Sequence, residues 1–234
     1  MTLAPPNSGP LRVLITGFGP FPGIIENASE AFAPLFAYRA PELVPGVRTA
    51  CAILPTQWRA VPQLLRRLLD EVQPHLCLHF GVQGGASGLV LETVARNLAA
   101  EKTDAAGLLP HSAMLEAGAP HVLTPLSGPL RLLERANALG LPVSASVQAG
   151  DYLCNALFFH SLAAALRIDR PRLVAFLHLP VRVGGAGRAE DDALNGEGLP
   201  LEVALAGATC VLGAMADHYS SAMTQFGTRL AAAE

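Results

Sequence analysis

This chain is short of charge. Asp, Glu, Lys and Arg make up 15% of its 234 residues, while the hydrophobic types make up 51%. Soluble domains ordinarily carry roughly 25% charged residues, so much apolar surface has to be hidden. A sheet covered on both faces would hide it, as would burial between subunits, and a homo-oligomer, dimer or tetramer, is expected. The net charge is −3 and there is no basic run, which leaves no electrostatic footprint for nucleic acid or an acidic membrane. Neither partner is expected. No apolar run approaches the roughly 20 residues that span a bilayer. The four cysteines, Cys51, Cys77, Cys154 and Cys210, are widely spaced and mostly in apolar segments. That is the pattern of buried thiols in a reducing compartment, not of a disulfide framework, and it points to the cytoplasm. Residues 1–10 hold two adjacent prolines, an Asn-Ser-Gly turn and no positive side chain. They read as a disordered tail, neither signal peptide nor anchor, ahead of one domain spanning 11–234. No second hydrophobic block demands another domain.

The elements that can be read along the chain alternate between strand and helix. Arg12 to Thr16 is a short β-type run stopped by Gly17-Phe18-Gly19-Pro20-Phe21-Pro22-Gly23, a loop too rich in Gly and Pro to continue as a strand. Asn27 is placed to cap a helix from Ala28 to about Tyr38, with Pro34 expected to kink or break it. Strands are predicted over 47–54, 76–80, 89–96, 143–147 and 173–179, and helices over 60–72, 130–139, 152–166 and 201–223. Pro171 separates the helix 152–166 from the strand 173–179. Between Ala99 and Pro125 the composition turns to Ala, Gly, Pro and scattered polar residues, an irregular excursion placed to cover a site. The alternation predicts a single three-layer α/β/α domain, its sheet mostly parallel, with ligands beyond the carboxyl ends of the strands.

Chemistry is concentrated in Gly150-Asp151-Tyr152-Leu153-Cys154-Asn155 and in Phe176-Leu177-His178-Leu179-Pro180. Gly150 permits a sharp turn, Asp151 is placed to cap a helix, and Cys154 falls at its third position, against unpaired backbone N–H groups. Partial positive charge there favours a thiolate, which Asp151 opposes. His178 ends a strand, within reach of one rim of a doubly wound fold. Glu92 is a lone carboxylate inside Leu89-Val90-Leu91-Glu92-Thr93-Val94, and burying it unpaired would cost several kcal/mol. A thiol, an imidazole and a carboxylate are the parts of a cysteine hydrolase; the competing reading makes Cys154 and His178 core residues. Gly17-x-Gly19 is no dinucleotide loop, because Pro20 and Pro22 remove N–H donors and no G-x-G-x-x-G follows. His75, Cys77 and His79 share a strand face but have no evident fourth ligand, and His160 and Cys210 read as packing residues. Nothing calls for a metal or an organic cofactor.

The run Thr16-Gly17-Phe18-Gly19-Pro20-Phe21-Pro22-Gly23, followed by Asn27, resembles the amino-terminal signature of the pyroglutamyl-peptidase I family. Leu54-Pro55-Thr56, Gly81 to Gly85, Glu92 to Asn97, Ala149 to Asn155 and Phe176 to Pro180 follow in the family's order and spacing, so the resemblance covers most of residues 12–220. It implies Glu92, Cys154 and His178 as the catalytic trio. Phe18 and Phe21 would enclose a pyroglutamyl ring, and Thr56 and Tyr152 are further pocket positions. The chain also departs from the pattern. Ala86 replaces the glycine-loop arginine and Thr93 the arginine after the glutamate. Glu101 to Gly107 stands in for another stretch, one residue shorter, with Lys102 and Asp104 as candidate equivalents of its residues, and the Pro-Glu-Gln after the histidine motif is absent.

The resemblance implies a cysteine exopeptidase that removes an amino-terminal 5-oxoproline from peptides, without cofactor. Two alternatives are a weak or inactive relative that binds a lactam-like ligand or a partner chain, and a hydrolase of another small cyclic amide.

Overall fold

A computed structural model describes residues 9–168 and 172–231; Pro171 and most of the expected amino-terminal tail lie outside them. In chain order the elements are β1 (Leu11–Phe18), β2 (Ile24–Glu26), α1 (Ala28–Leu43), β3 (Val47–Leu54), α2 (Ala60–Val72), β4 (Leu76–Gln83), β5 (Leu89–Glu92), β6 (Ala95–Arg96), β7 (Val122–Leu123), α3 (Pro129–Ala138), β8 (Val143–Ser146), α4 (Leu153–Ala165), β9 (Leu173–Pro180), β10 (Arg188–Ala189) and α5 (Leu201–Ala231). Six strands form the central sheet in the order β3-β1-β4-β9-β5-β8. β3, β1, β4 and β9 run parallel, β5 is antiparallel to β9, and β8 is parallel to β5. The expected α/β architecture is present.

Strand alternation sorts the core into two layers. Val13, Ile15, Leu78, Phe80, Ala175 and Leu177 meet α1, α3 and α5 on one face. Leu14, Phe18, Cys77, Val174 and Phe176 meet α2 and α4 on the other. Both faces are therefore dry, which is how a chain with so little charge buries its central strands. α2 shows the amphipathic pattern that its sequence predicts, with Val61, Leu65 and Leu69 buried.

Four local expectations are corrected. α1 runs unbroken through Pro34 and Pro41, because Phe32, Ala33, Phe36, Ala37 and Ala40 on the sheet-facing side are all buried and tertiary packing outweighs the lost backbone bonds. The Asn27 cap does form, its Oδ1 accepting from Ser29 N–H at 3.1 Å. β1 extends past Thr16 to Phe18, held by parallel pairing of Phe18 with Leu54. The predicted strand 89–96 is two strands. Thr93 turns out of the sheet with its N–H on the Ser146 carbonyl at 2.8 Å, and β6 pairs instead with β7, inside the segment expected to be irregular throughout. Cys51 is exposed, since β3 is an edge strand.

Candidate active site

The reversed direction of β5 sets the central pair of side chains. Val90 stands opposite His178 in the antiparallel register, so Glu92, two residues on, points to the same face diagonally beside the histidine. Glu92 Oε1 lies 2.8 Å from His178 Nδ1. The carboxylate is fully buried, and Oε2 has no hydrogen-bond partner among the described residues. Its charge is thus compensated chiefly by the imidazole, and separating the two would leave a buried ion unpaired. The Cys154 side chain lies beside the same ring, close enough to act on its charge. Burial works against the imidazolium, but the Cys154 sulfur beside it, and then the hydrogen bond and charge of Glu92, outweigh burial and raise His178 from its ordinary 6.5 to about 9.

Cys154 is delivered by the turn before α4. Gly150 has φ +79°, a left-handed conformation natural to glycine. The helix begins one residue later than predicted: Tyr152 is the N-cap, Cys154 the second helical residue, and no side chain caps the helix. Asp151 is drawn away from that duty by Lys102, whose Nζ lies 3.4 Å from Asp151 Oδ1. Beneath the sulfur, β4 contributes Gly81, paired in register with His178.

Cys154 and His178 open into a cleft of about 970 Å³ that also takes in Phe21, Tyr152, Lys102 and Gln83. A larger cavity of about 1320 Å³, between α2, α4 and residues 110–116, contains none of the predicted site residues. The structure thus brings together Glu92, Cys154, His178, Phe21 and Tyr152, with Glu92 behind the histidine and out of the cleft. Phe18 and Thr56 are not part of the cleft lining. Phe18 is 1% exposed in the α2–α4 core layer, because β1 continues to it and its parity with Leu14 and Thr16 sends it inward. Thr56 is buried and donates through Oγ1 to the Gly19 carbonyl at 3.0 Å. That carbonyl also accepts from Asn27 Nδ2 at 3.0 Å, so Thr56 braces the loop that carries Phe21.

Three contributors were not singled out from the sequence. Trp58 packs edge-on against Tyr152, with centroids 5.2 Å apart, while Tyr152 sits 5.7 Å from Phe21. Its indole N–H donates to the Lys102 carbonyl at 2.9 Å and its backbone N–H to Asp104 Oδ2 at 2.9 Å. With the Tyr152 hydroxyl on the Thr103 carbonyl at 2.9 Å, these bonds strap residues 102–104 against the cleft. Asn155, fully buried, donates through Nδ2 to the carbonyls of Arg96 and Leu98 at 2.8 and 3.0 Å. It ties α4 to the chain leaving β5. Gly81 is the third. The signals were the chain's single tryptophan, an amide buried in an apolar helix, and a glycine within a strand.

A thiol at a helix start, an imidazole beside it and a buried carboxylate behind the ring are suited to acyl transfer. Residues 11–217 match the family described as pyroglutamyl peptidase. The chain belongs to that family of peptidases. Among its curated relatives are the pyrrolidone-carboxylate peptidases of Alkaliphilus oremlandii, 31% identical over 79% of this chain and 86% of that protein, and of Gloeobacter violaceus, 32% identical over 73% and 82%. The solved pyrrolidone carboxyl peptidase of Thermococcus litoralis superposes with a TM-score of 0.78 at 25% identity, covering 90% of this chain and 96% of that one. The family's α/β fold is therefore shared nearly end to end.

Proposed function

We propose that this pyroglutamyl-peptidase family member is a cysteine exopeptidase that hydrolyses the amide bond after an amino-terminal pyroglutamyl residue, with Cys154 as nucleophile, His178 as acid and base, and Glu92 as the group that orients the imidazole. The observation that carries the reading is the buried Glu92–His178 hydrogen bond with the Cys154 sulfur beside the ring, opening into an aromatic-lined cleft. The Cys154 thiolate attacks the pyroglutamyl carbonyl carbon. The Cys154 sulfur forms a thioester as His178 protonates the departing amine, and water activated by the neutral imidazole then releases pyroglutamate. Backbone N–H groups of the first turn of α4, which no side chain caps, are the donors for the oxyanion.

The ring-facing part of the cleft suits a flat, neutral lactam. Phe21 and Tyr152 supply aromatic surface, and pyroglutamate carries no ammonium group that would require a carboxylate. Thr56 and Phe18 serve this reading as supports of the Phe21 loop. No observation favours an inactive binding protein or a different cyclic-amide hydrolase. The peptidase is further read as one domain from residue 11, working without cofactor as a cytoplasmic homo-oligomer; the low charge and the lack of cysteine pairing support this, and no helix among the described residues is long and apolar enough to cross a membrane. Release of a chromophore from a pyroglutamyl amide, with prolyl and glutamyl amides as controls, tests the activity. No release by the wild-type protein, or equal release from the controls, overturns it.

A further inference from the structure

A polar row crosses the dry layer beneath α4. His79 on β4 is fully buried, as are Thr16 on β1 and Ser161 on α4. Thr16 Oγ1 lies 2.8 Å from His79 Nδ1, and His79 Nε2 lies 2.9 Å from Ser161 Oγ. Thr16 and His79 face each other in the β1–β4 register. The Cys77 thiol, on the same face of β4, lies close to Ser161. Burial lowers His79 to about 3, so the ring stays neutral and links two hydroxyls, donating from one nitrogen and accepting at the other.

The row connects elements that carry the parts of the candidate site. Ser161 lies seven residues after Cys154, two helical turns along the same face of α4. Thr16 precedes the loop that presents Phe21. Phe176, opposite His79 in the β4–β9 register, has its ring 6.2 Å from His79 and 4.9 Å from His178. Apolar side chains would fill this layer without desolvating three polar groups. What they would lack is direction: Asn155 pins the first turn of α4 to the Arg96 and Leu98 carbonyls, and the Ser161–His79–Thr16 bonds pin the same helix to β4 and β1 six residues further on, so that it can neither roll nor slide about its first turn.

We propose that His79 is a positioning residue which, through Thr16 and Ser161, fixes the roll and height of α4 and so holds the Cys154 sulfur against His178. This rests on the reading of Cys154 and His178 as the reacting pair. Ser161→Ala and Thr16→Val each remove one bond to the ring with little change of volume, and Thr16→Ser keeps the hydroxyl. The deciding measurement is the iodoacetamide alkylation rate of Cys154 at pH 7, followed by peptide mapping. Ser161→Ala and Thr16→Val are expected to slow alkylation about tenfold and lower kcat in parallel, with KM little changed and Thr16→Ser close to wild type. If both alkylate Cys154 within about threefold of wild type, whatever their Tm, the row is only a packing feature and the proposal fails. If one variant does not fold, the other decides. Alkylation needs no peptide, so slowed variants of a wild-type protein that cleaves no pyroglutamyl amide would refute the substrate assignment and leave the positioning role standing.

Discussion

A β-carbon on Gly81 would lie 2.8 Å from the Cys154 sulfur and 3.1 Å from the end of the Phe176 ring. The thiol therefore rests on bare backbone, and the absence of a side chain at residue 81 is what lets it reach His178 from α4. Gly81→Ala is expected to push the sulfur or the ring aside. Misplacement of a reacting atom by about 1 Å costs on the order of 100-fold in rate, so kcat on a pyroglutamyl amide should drop by at least tenfold, with a much smaller change in KM. Steady-state kinetics beside a melting curve checks this; an unchanged kcat would show that the sulfur has room to move.

Alkylation should single out Cys154. Burial raises the Cys77 thiol to about 12 and also raises Cys210. Cys51, although exposed on its edge strand, is raised by partial desolvation to about 11. At pH 7 these three hold little thiolate, whereas Cys154 opens into the cleft beside the His178 imidazole. Loss of activity on limited iodoacetamide treatment should track modification of Cys154, and Cys154→Ser or Cys154→Ala should remain folded but lose nearly all hydrolysis. Full inactivation with Cys154 unmodified would count against the mechanism.

How much of this was legible in the sequence depends on whether the decisive contact was local. The lone Glu92 in an apolar run announced a partner, and His178 at a strand end was a fair candidate. What placed them side by side is the antiparallel register of β5 on β9, which hydrophobic alternation does not disclose. Asp151 looked like a cap because capping is local; Lys102, 49 residues away, takes its carboxylate instead. Phe18 and Phe21 looked alike because both lie in a Gly-Pro run. Pairing with β3 carries β1 through Phe18, and the pleat then turns that ring inward while leaving Phe21 at the cleft.

The pH dependence follows from His178. Its imidazolium is favoured up to about pH 9, so hydrolysis should decline on the alkaline side as pH rises through that value. Glu92→Gln removes one of the charges that raise it. The alkaline limb should move to lower pH, and kcat at neutral pH should fall by less than in His178→Ala, because the amide still orients the ring. The stability effect has the same sign. A folded pKa raised above 6.5 gives stabilisation that is fully present below 6.5 and lost as pH rises through about 9. Denaturation midpoints between pH 6 and 10 should therefore fall more steeply for wild type than for Glu92→Gln. Identical pH–rate profiles would remove Glu92 from the trio.

Trp58→Phe should separate packing from tethering. A phenyl ring keeps an edge-on contact with Tyr152 but lacks the indole N–H that donates to the Lys102 carbonyl. Loss of that bond loosens the strap along one side of the cleft, so KM should rise severalfold with kcat and the Cys154 alkylation rate close to wild type. A fall in kcat at constant KM would place Trp58 in the support of the nucleophile instead.

The two loop phenylalanines give opposite expectations. Phe18 is a fully buried core ring, and its truncation to alanine should cost about 3–5 kcal/mol, seen as a large drop in Tm whether or not a ligand is present. Phe21 is only partly buried, contacts Tyr152 and faces the cleft. Phe21→Ala should lower Tm modestly, raise KM for pyroglutamyl amides and weaken protection by 2-pyrrolidone, a mimic of the lactam ring. The stiff loop makes this informative: Pro20 and Pro22 flank Phe21 and Thr56 braces Gly19, so the remaining backbone has little freedom to bring a substitute surface into place. Kinetics and melting curves on Phe18→Ala and Phe21→Ala, with and without 2-pyrrolidone, distinguish the two roles. If Phe21→Ala melts far below wild type and leaves KM unchanged, Phe21 is a packing residue, and the lactam must be held by another part of the cleft.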